Sequence, residues 1–251
     1  MEILVVGAGA MGRWFAGAVN AAVAFTDADP ETAVEAADDL GGRAVPLDAD
    51  ETFDAVCIAV PISAAEAAIA DHAERAERAI LDVTGVMSDP VAAMEKNAPD
   101  VERASLHPLF APGNAPGNVA VVLDVDGPVM AAILDDIAAA GNELVETTPE
   151  EHDDAMETVQ AGTHAAVLAF ALATDDVPDG LRTPVYDGLD RLVDQVTGDD
   201  PRVYAEIQER FDGADAVADA ARRLADADLP ETEALYREAS ERRSSNGVDD
   251  Q

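Results

Sequence analysis

The chain has 251 residues, 48% of them apolar, and sets 52 acidic side chains against 15 basic ones for a formal charge of −37. That balance argues against a nucleic-acid partner, whose phosphates it would repel, while the length admits a dinucleotide-binding domain plus a smaller companion. The single cysteine, Cys57, excludes an intrachain disulfide; no run of about 20 apolar residues offers a membrane span, and the opening run Glu2 to Val6 reads as a strand rather than a leader, so a soluble cytoplasmic protein is expected.

The carboxylates are spread between periodic apolar residues along the whole chain rather than gathered into one tail, which describes an acidic solvated surface. Such a charge repels itself unless salt screens it, and the screening length shrinks to about 3 Å near 1 M. A salt-accumulating cytoplasm is therefore expected. The melting temperature should rise between dilute and multimolar potassium chloride, and an unchanged value would refute the reading.

In chain order, short β-branched runs alternate with alanine-rich stretches through residue 149, the pattern of a parallel sheet covered by helices. Strands are predicted at Ile3 to Val6, Val23 to Thr26, Ala44 to Val45, Ala55 to Val60, Ala79 to Val83, Val101 to Leu106, Val119 to Leu123 and Glu143 to Thr147. Pro30 and Pro128 suit first helical turns, and Gly41 and Gly141 suit helix ends. After Pro149 only helical patterns remain: Glu150 to Ala173, Pro184 to Val196, Pro201 to Arg210, Ala214 to Ala227 and Glu231 to Arg242, with a frayed tail from Ser244. The expected organisation is a doubly wound α/β domain over 1–149, an all-helical domain over 150–243 and a tail over 244–251. The alanine-rich face of the first long helix suggests a homodimer through the helical domain.

Gly7, Gly9 and Gly12 form Gly-x-Gly-x-x-Gly, with Ala10 and Met11 between the last two, directly after the first strand and at the start of a helical run. In that context the glycines give a tight turn, close approach to a pyrophosphate and close helix packing, which identifies a Rossmann-type nucleotide site. Asp27, at the end of the second strand, can accept hydrogen bonds from ribose hydroxyls and would repel a 2′-phosphate, so NAD is favoured over NADP; Asp29 is the runner-up. His107 leaves the sixth strand in Ser105-Leu106-His107-Pro108-Leu109-Phe110-Ala111-Pro112, beside the expected crevice, and an imidazole there suits a base that takes a hydroxyl proton. His152 reads as a surface residue of a first helical turn and His72 as solvent-facing.

The His107 segment resembles the His-Pro-Met-Phe-Gly-Pro motif of the prephenate dehydrogenase family. Val60-Pro61-Ile62 is similar to that family's cofactor-bordering loop, Asp82 to Met87 to its Asp-x-x-Ser-Val-Lys segment, and Glu151 to Met156 with Gln160 and His164 to the opening of its helical domain. The resemblance implies NAD-dependent oxidation and decarboxylation of prephenate or arogenate, with His107 as the base. It also implies cofactor contacts from Val60 and Pro61 and a substrate contact from His164, with Gln160 on the same helical face. Gly85 stands where the family has a serine, leaving Thr84 as the nearest hydroxyl, and Gln195 stands where it has an arginine. Arg191, one turn earlier, is the expected substitute to grip a carboxylate. No metal is implied.

Overall fold

Every run of strand character folds as a strand, with no end moved by more than three residues. The computed structural model describes residues 1–198 and 201–246. In it β1 (Glu2–Val6), β2 (Ala22–Thr26), β3 (Arg43–Ala44), β4 (Phe53–Ile58), β5 (Ala76–Asp82), β6 (Glu102–Pro108), β7 (Asn118–Val125) and β8 (Glu143–Glu146) form one sheet in the order β3-β2-β1-β4-β5-β6-β7-β8. The helices α1 (Ala10–Ala18), α2 (Pro30–Leu40), α3 (Ile62–His72), α4 (Ser88–Asn97) and α5 (Pro128–Ala139) cover it.

Alternation along β1 divides the core. Ile3 and Val5 point into a cluster with Phe15 of α1, Ala36 of α2 and Ile133 of α5, whereas Leu4 and Val6 point into the opposite cluster with Ile69 of α3 and Met94 of α4. Burial on both faces explains why the strand is apolar throughout rather than alternating. The chain winds from β1 outward to β3 and then returns to β4 on the other side of β1. The carboxyl ends of β1 and β4 therefore flank a topological switch point, where a ligand crevice is expected.

The doubly wound, mostly parallel sheet is the fold class expected, and two details differ. The sheet is not wholly parallel, because β7 runs antiparallel to β6; only residues 109–117 join them, too short a connection for the crossover helix a parallel pair needs. His72 is not solvent-facing but 5% exposed, at the end of α3, with Nδ1 3.2 Å from Arg75 Nη1. A guanidinium can only donate, so His72 accepts and is neutral.

The helix α6 (Pro149–Met156) closes the first of two compact units, Met1–Ala155, so the expected break after residue 149 falls inside that unit. The second unit contains a π-helical turn (Glu157–Gly162), then α7 (Thr163–Ala173), α8 (Pro184–Thr197), α9 (Pro201–Arg210), α10 (Gly213–Asp226) and α11 (Leu229–Asn246). The single α-helix expected from Glu150 to Ala173 is thus interrupted by the π turn. Within this unit Gly213 lets α10 approach that turn, since a Cβ there would lie 2.2 Å from Glu157 O. The expected tail from Ser244 is helical through Asn246, and its last five positions lie outside the described residues. Among the described residues no helix is long and apolar enough to cross a membrane.

Candidate active site

The glycine loop is held from three sides. Gly7 has φ +97° and a Cβ there would strike Ala59 O at 2.4 Å, so only glycine fits against the turn that follows β4. Gly12 lies over Gly7, whose carbonyl oxygen a Cβ would meet at 2.0 Å. Gly9 differs, because a Cβ there would meet nothing within 4 Å. It caps α1, whose first turn has no side-chain cap, so backbone N–H groups and the helix dipole face open space suited to a phosphate. Ala10 is exposed and Met11 half-buried on that first turn. Val60 touches the loop, with Cγ1 3.1 Å from the Gly7 Cβ position, and Pro61 caps α3.

Asp27 does more than the motif predicts. Its Oδ2 accepts the Ala8 N–H at 2.8 Å and its Oδ1 the Asp29 N–H at 3.0 Å, while Arg13 Nε donates to Ala8 O at 3.1 Å. The carboxylate therefore shapes the loop, and its oxygens have acceptor capacity left for hydroxyls. Asp29, the runner-up, instead caps α2 by accepting the Glu31 N–H at 3.1 Å.

Contacts run from this loop to His107 without a break. Pro61 leads into Ile62; a Cβ at Gly85 would lie 3.3 Å from Ile62 Cδ1 and 3.8 Å from His107 Nε2. The ring is 6% exposed on β6. Its Nδ1 is 2.9 Å from His152 Nε2, and His152 Nδ1 is 2.9 Å from Asp153 Oδ1. Asp153 also accepts the N–H of Met87 at 3.0 Å and of Ser88 at 3.1 Å, capping α4 from outside that helix. Although burial pushes the Asp153 carboxyl up, these hydrogen bonds, led by that from His152, hold it at about 2, so it is ionised and can only accept.

With one proton on each ring, that orders the row. His152 must donate from Nδ1, which makes Nε2 its acceptor; His107 must then donate from Nδ1, and its proton-accepting nitrogen is Nε2, the one near Gly85. Burial, and His152 beside it, push His107 down to about 3 against the pull of Asp153, so the ring is neutral and able to receive a proton. His152 is 3% exposed, which overturns its reading as a surface residue. The first turn of α6 faces the carboxyl edge of the sheet, and the adjacent His-Asp pair was the signal that could have revealed it.

Thr84 is not placed as a substrate ligand. Its hydroxyl donates to Asp82 Oδ1 at 2.6 Å, with Val86 O as the other acceptor within reach, and its N–H donates to the same carboxylate oxygen at 3.0 Å. Asp82 is fully buried, and burial lifts its pKa to about 6 despite the Thr84 hydrogen bonds. Ser105, its register neighbour on β6, also helps to hold the carboxyl down through its hydroxyl, although neither that hydroxyl nor Asp82 Oδ2 makes a well-formed hydrogen bond among the described residues.

The remaining candidates lie in the second unit. Gln160 sits in the π turn, a geometry frequent at functional sites, and His164 opens α7 with its ring edge-on to Tyr204 at 4.9 Å. His164 Nδ1 is buried with no hydrogen-bond partner among the described residues. Arg191 is exposed on α8, where Nε donates to Asp187 O at 3.1 Å, and it borders an open pocket of about 460 Å³ with Arg182, Pro184, Asp187 and Asp190.

Comparison with known proteins follows the same lines. The family described as "Prephenate dehydrogenase, nucleotide-binding domain" matches residues 16–124. A 4-amino-4-deoxyprephenate dehydrogenase of Streptomyces pristinaespiralis is 34% identical over 239 residues, covering 87% of this chain and 80% of that protein. A probable arogenate/prephenate dehydrogenase of Methanocaldococcus jannaschii is 24% identical over 225 residues, covering 82% of this chain and 50% of that protein. Among solved structures, prephenate dehydrogenase from Aquifex aeolicus in complex with hydroxyphenyl propionate and NAD+ shares the fold at TM-score 0.73 and 17% identity, covering 100% of this chain and 98% of that one.

Proposed function

The chain belongs to the prephenate dehydrogenase family, and from that premise we propose that it oxidises and decarboxylates prephenate in the cytoplasm, using NAD and giving 4-hydroxyphenylpyruvate on the way to tyrosine. The observation that carries the proposal is the Asp153-His152-His107 row, which presents a neutral imidazole with its accepting nitrogen at the carboxyl edge of a dinucleotide fold. The glycine loop fits NAD: Gly9 leaves space for the pyrophosphate at the open end of α1, and Asp27 suits the ribose. Bound there, NAD supplies a hydride acceptor. His107 takes the hydroxyl proton as hydride leaves the same ring carbon, and loss of the ring carboxylate as carbon dioxide makes the ring aromatic. Gln160, His164 and Arg191 are proposed to bind the substrate.

A second reading has a specific basis. The Streptomyces relative is named for a substrate with an amine in place of the ring hydroxyl, and Gly85 puts no hydroxyl beside His107 Nε2. Purified protein in concentrated potassium chloride, given NAD and in turn prephenate, arogenate and 4-amino-4-deoxyprephenate, tests both. NADH formation fastest with prephenate supports the proposal; preference for the amine supports the second reading, and NAD binding without turnover on any of the three leaves a nucleotide-binding regulator. Asp27→Ser is expected to weaken NAD by about tenfold, one charge-assisted contact's worth, and NADP less. Equal losses in a binding titration would assign Asp27 to the loop alone.

We also propose a homodimer through the helical unit. The sequence of α7, THAAVLAFALA, has no charged residue and is apolar all round, the composition of an interior helix. Yet Leu168 is 43% and Leu172 80% exposed. An uncharged seam is where two copies carrying −37 each can meet. Leu172→Glu should halve the solution molar mass measured by light scattering in salt.

A further inference from the structure

The three polar groups behind His107 have a use that the base alone does not require. Resting on the proposed function, we propose that the proton taken from the substrate does not stay on His107 but passes to His152, which holds it between the carboxylates of Asp153 and Asp82.

The row permits one transfer in one direction. The substrate O–H breaks as an N–H forms on His107 Nε2; the N–H on His107 Nδ1 then breaks as one forms on His152 Nε2, 2.9 Å away. His152 keeps its Nδ1–H on Asp153 Oδ1, also at 2.9 Å. One proton enters the row and one charge appears, displaced by one ring. When product leaves, the steps reverse and the proton returns through His107.

Two features favour the far ring as the resting place. His107 Nδ1 meets an imidazole nitrogen, that of His152, and burial opposes a charge on the His107 ring. His152 donates to Asp153 directly and lies within electrostatic reach of Asp82. The groups facing His152 are Asp153 on its own helix, His107 on β6 and Asp82 at the end of β5; the Cys57 thiol of β4, within electrostatic reach of Asp82, is pushed well up by burial. Asp82 is accordingly a positioning residue, acting through His152.

The chain has four histidines, so nitrogen-15 labelling of the rings can follow each proton in the intact protein in potassium chloride, without turnover. At neutral pH, His107 and His152 are both expected to carry their proton on Nδ1, and on acidification His152 should gain its second ring proton before His107. His107 gaining it first, or holding its proton on Nε2, would overturn the proposal while leaving the base assignment intact. Kinetics give a second arm. Asp82→Asn, nearly isosteric, should lower kcat about tenfold with KM unchanged and move the acid limb of the kcat/KM profile to lower pH; an unmoved limb with an altered melting temperature would show a merely structural role and count against relay through His152. Loss of turnover in His107→Asn, with both arms failing, would retain the enzyme and discard the relay.

Discussion

Replacing His107 with asparagine is expected to lower kcat by roughly 10² to 10⁴, the ordinary worth of a positioned general base, with NAD affinity unchanged. The expectation comes from how the site divides its labour. The cofactor loop is built from β1, α1, the end of β2 and the turn after β4, none of which residue 107 supports directly. The imidazole is the one group in the row whose protons are arranged to accept from a ligand at Nε2, because Asp153 and His152 orient the other nitrogen as a donor. Asparagine keeps a donor for His152 but offers no basic nitrogen. Steady-state kinetics on the preferred substrate, beside a separate NAD titration, measure the two halves. A variant retaining kcat within about tenfold would move the base elsewhere, and one that lost NAD binding as well would show that the ring supports the nucleotide site.

Much of this could be read from residues in a row. Gly7, Gly9 and Gly12 are legible because backbone geometry, not side-chain partnership, decides them, and the structure adds only which glycine is pressed by which carbonyl. Asp27 was legible as an acid in register with the loop, but its grip on the Ala8 N–H was not, since that needs the turn's three-dimensional path. His107 was legible from its place after a strand. Its partner was not: His152 sits in a helix opening with Pro149, Glu150 and Glu151, which pattern alone assigns to solvent, and only the fold shows that this first turn seals the sheet's carboxyl edge. The setting of Thr84 was hidden for a related reason. Counting from Gly85 finds the nearest hydroxyl but cannot show that Asp82, two residues back, already holds it.

The second large effect is on stability, and it comes from the same buried groups acting with opposite signs. His107, held near 3 from an ordinary 6.5, lets the unfolded chain bind protons first, so its stabilising share is whole above pH 6.5 and is lost as pH falls, about 1.4 kcal/mol per unit and on the order of 5 kcal/mol by pH 3. Asp82, raised to about 6 from an ordinary 3.8, lets the folded chain bind protons first, so stability rises by about 3 kcal/mol as pH falls from 6 to 4. Between pH 6 and 4 the two slopes cancel. Below 4 the compensation ends and Asp153, held at about 2, starts to lose its own contribution. Denaturant unfolding at constant salt should therefore show Asp82→Asn losing about 3 kcal/mol relative to wild type from pH 6 to 4, and His107→Asn gaining about as much over the same window. Relief of surface repulsion on acidification is common to all three proteins and drops out of the differences. Parallel curves would mean that neither group changes its proton affinity on folding, and the electrostatic account of the buried row would fall with them.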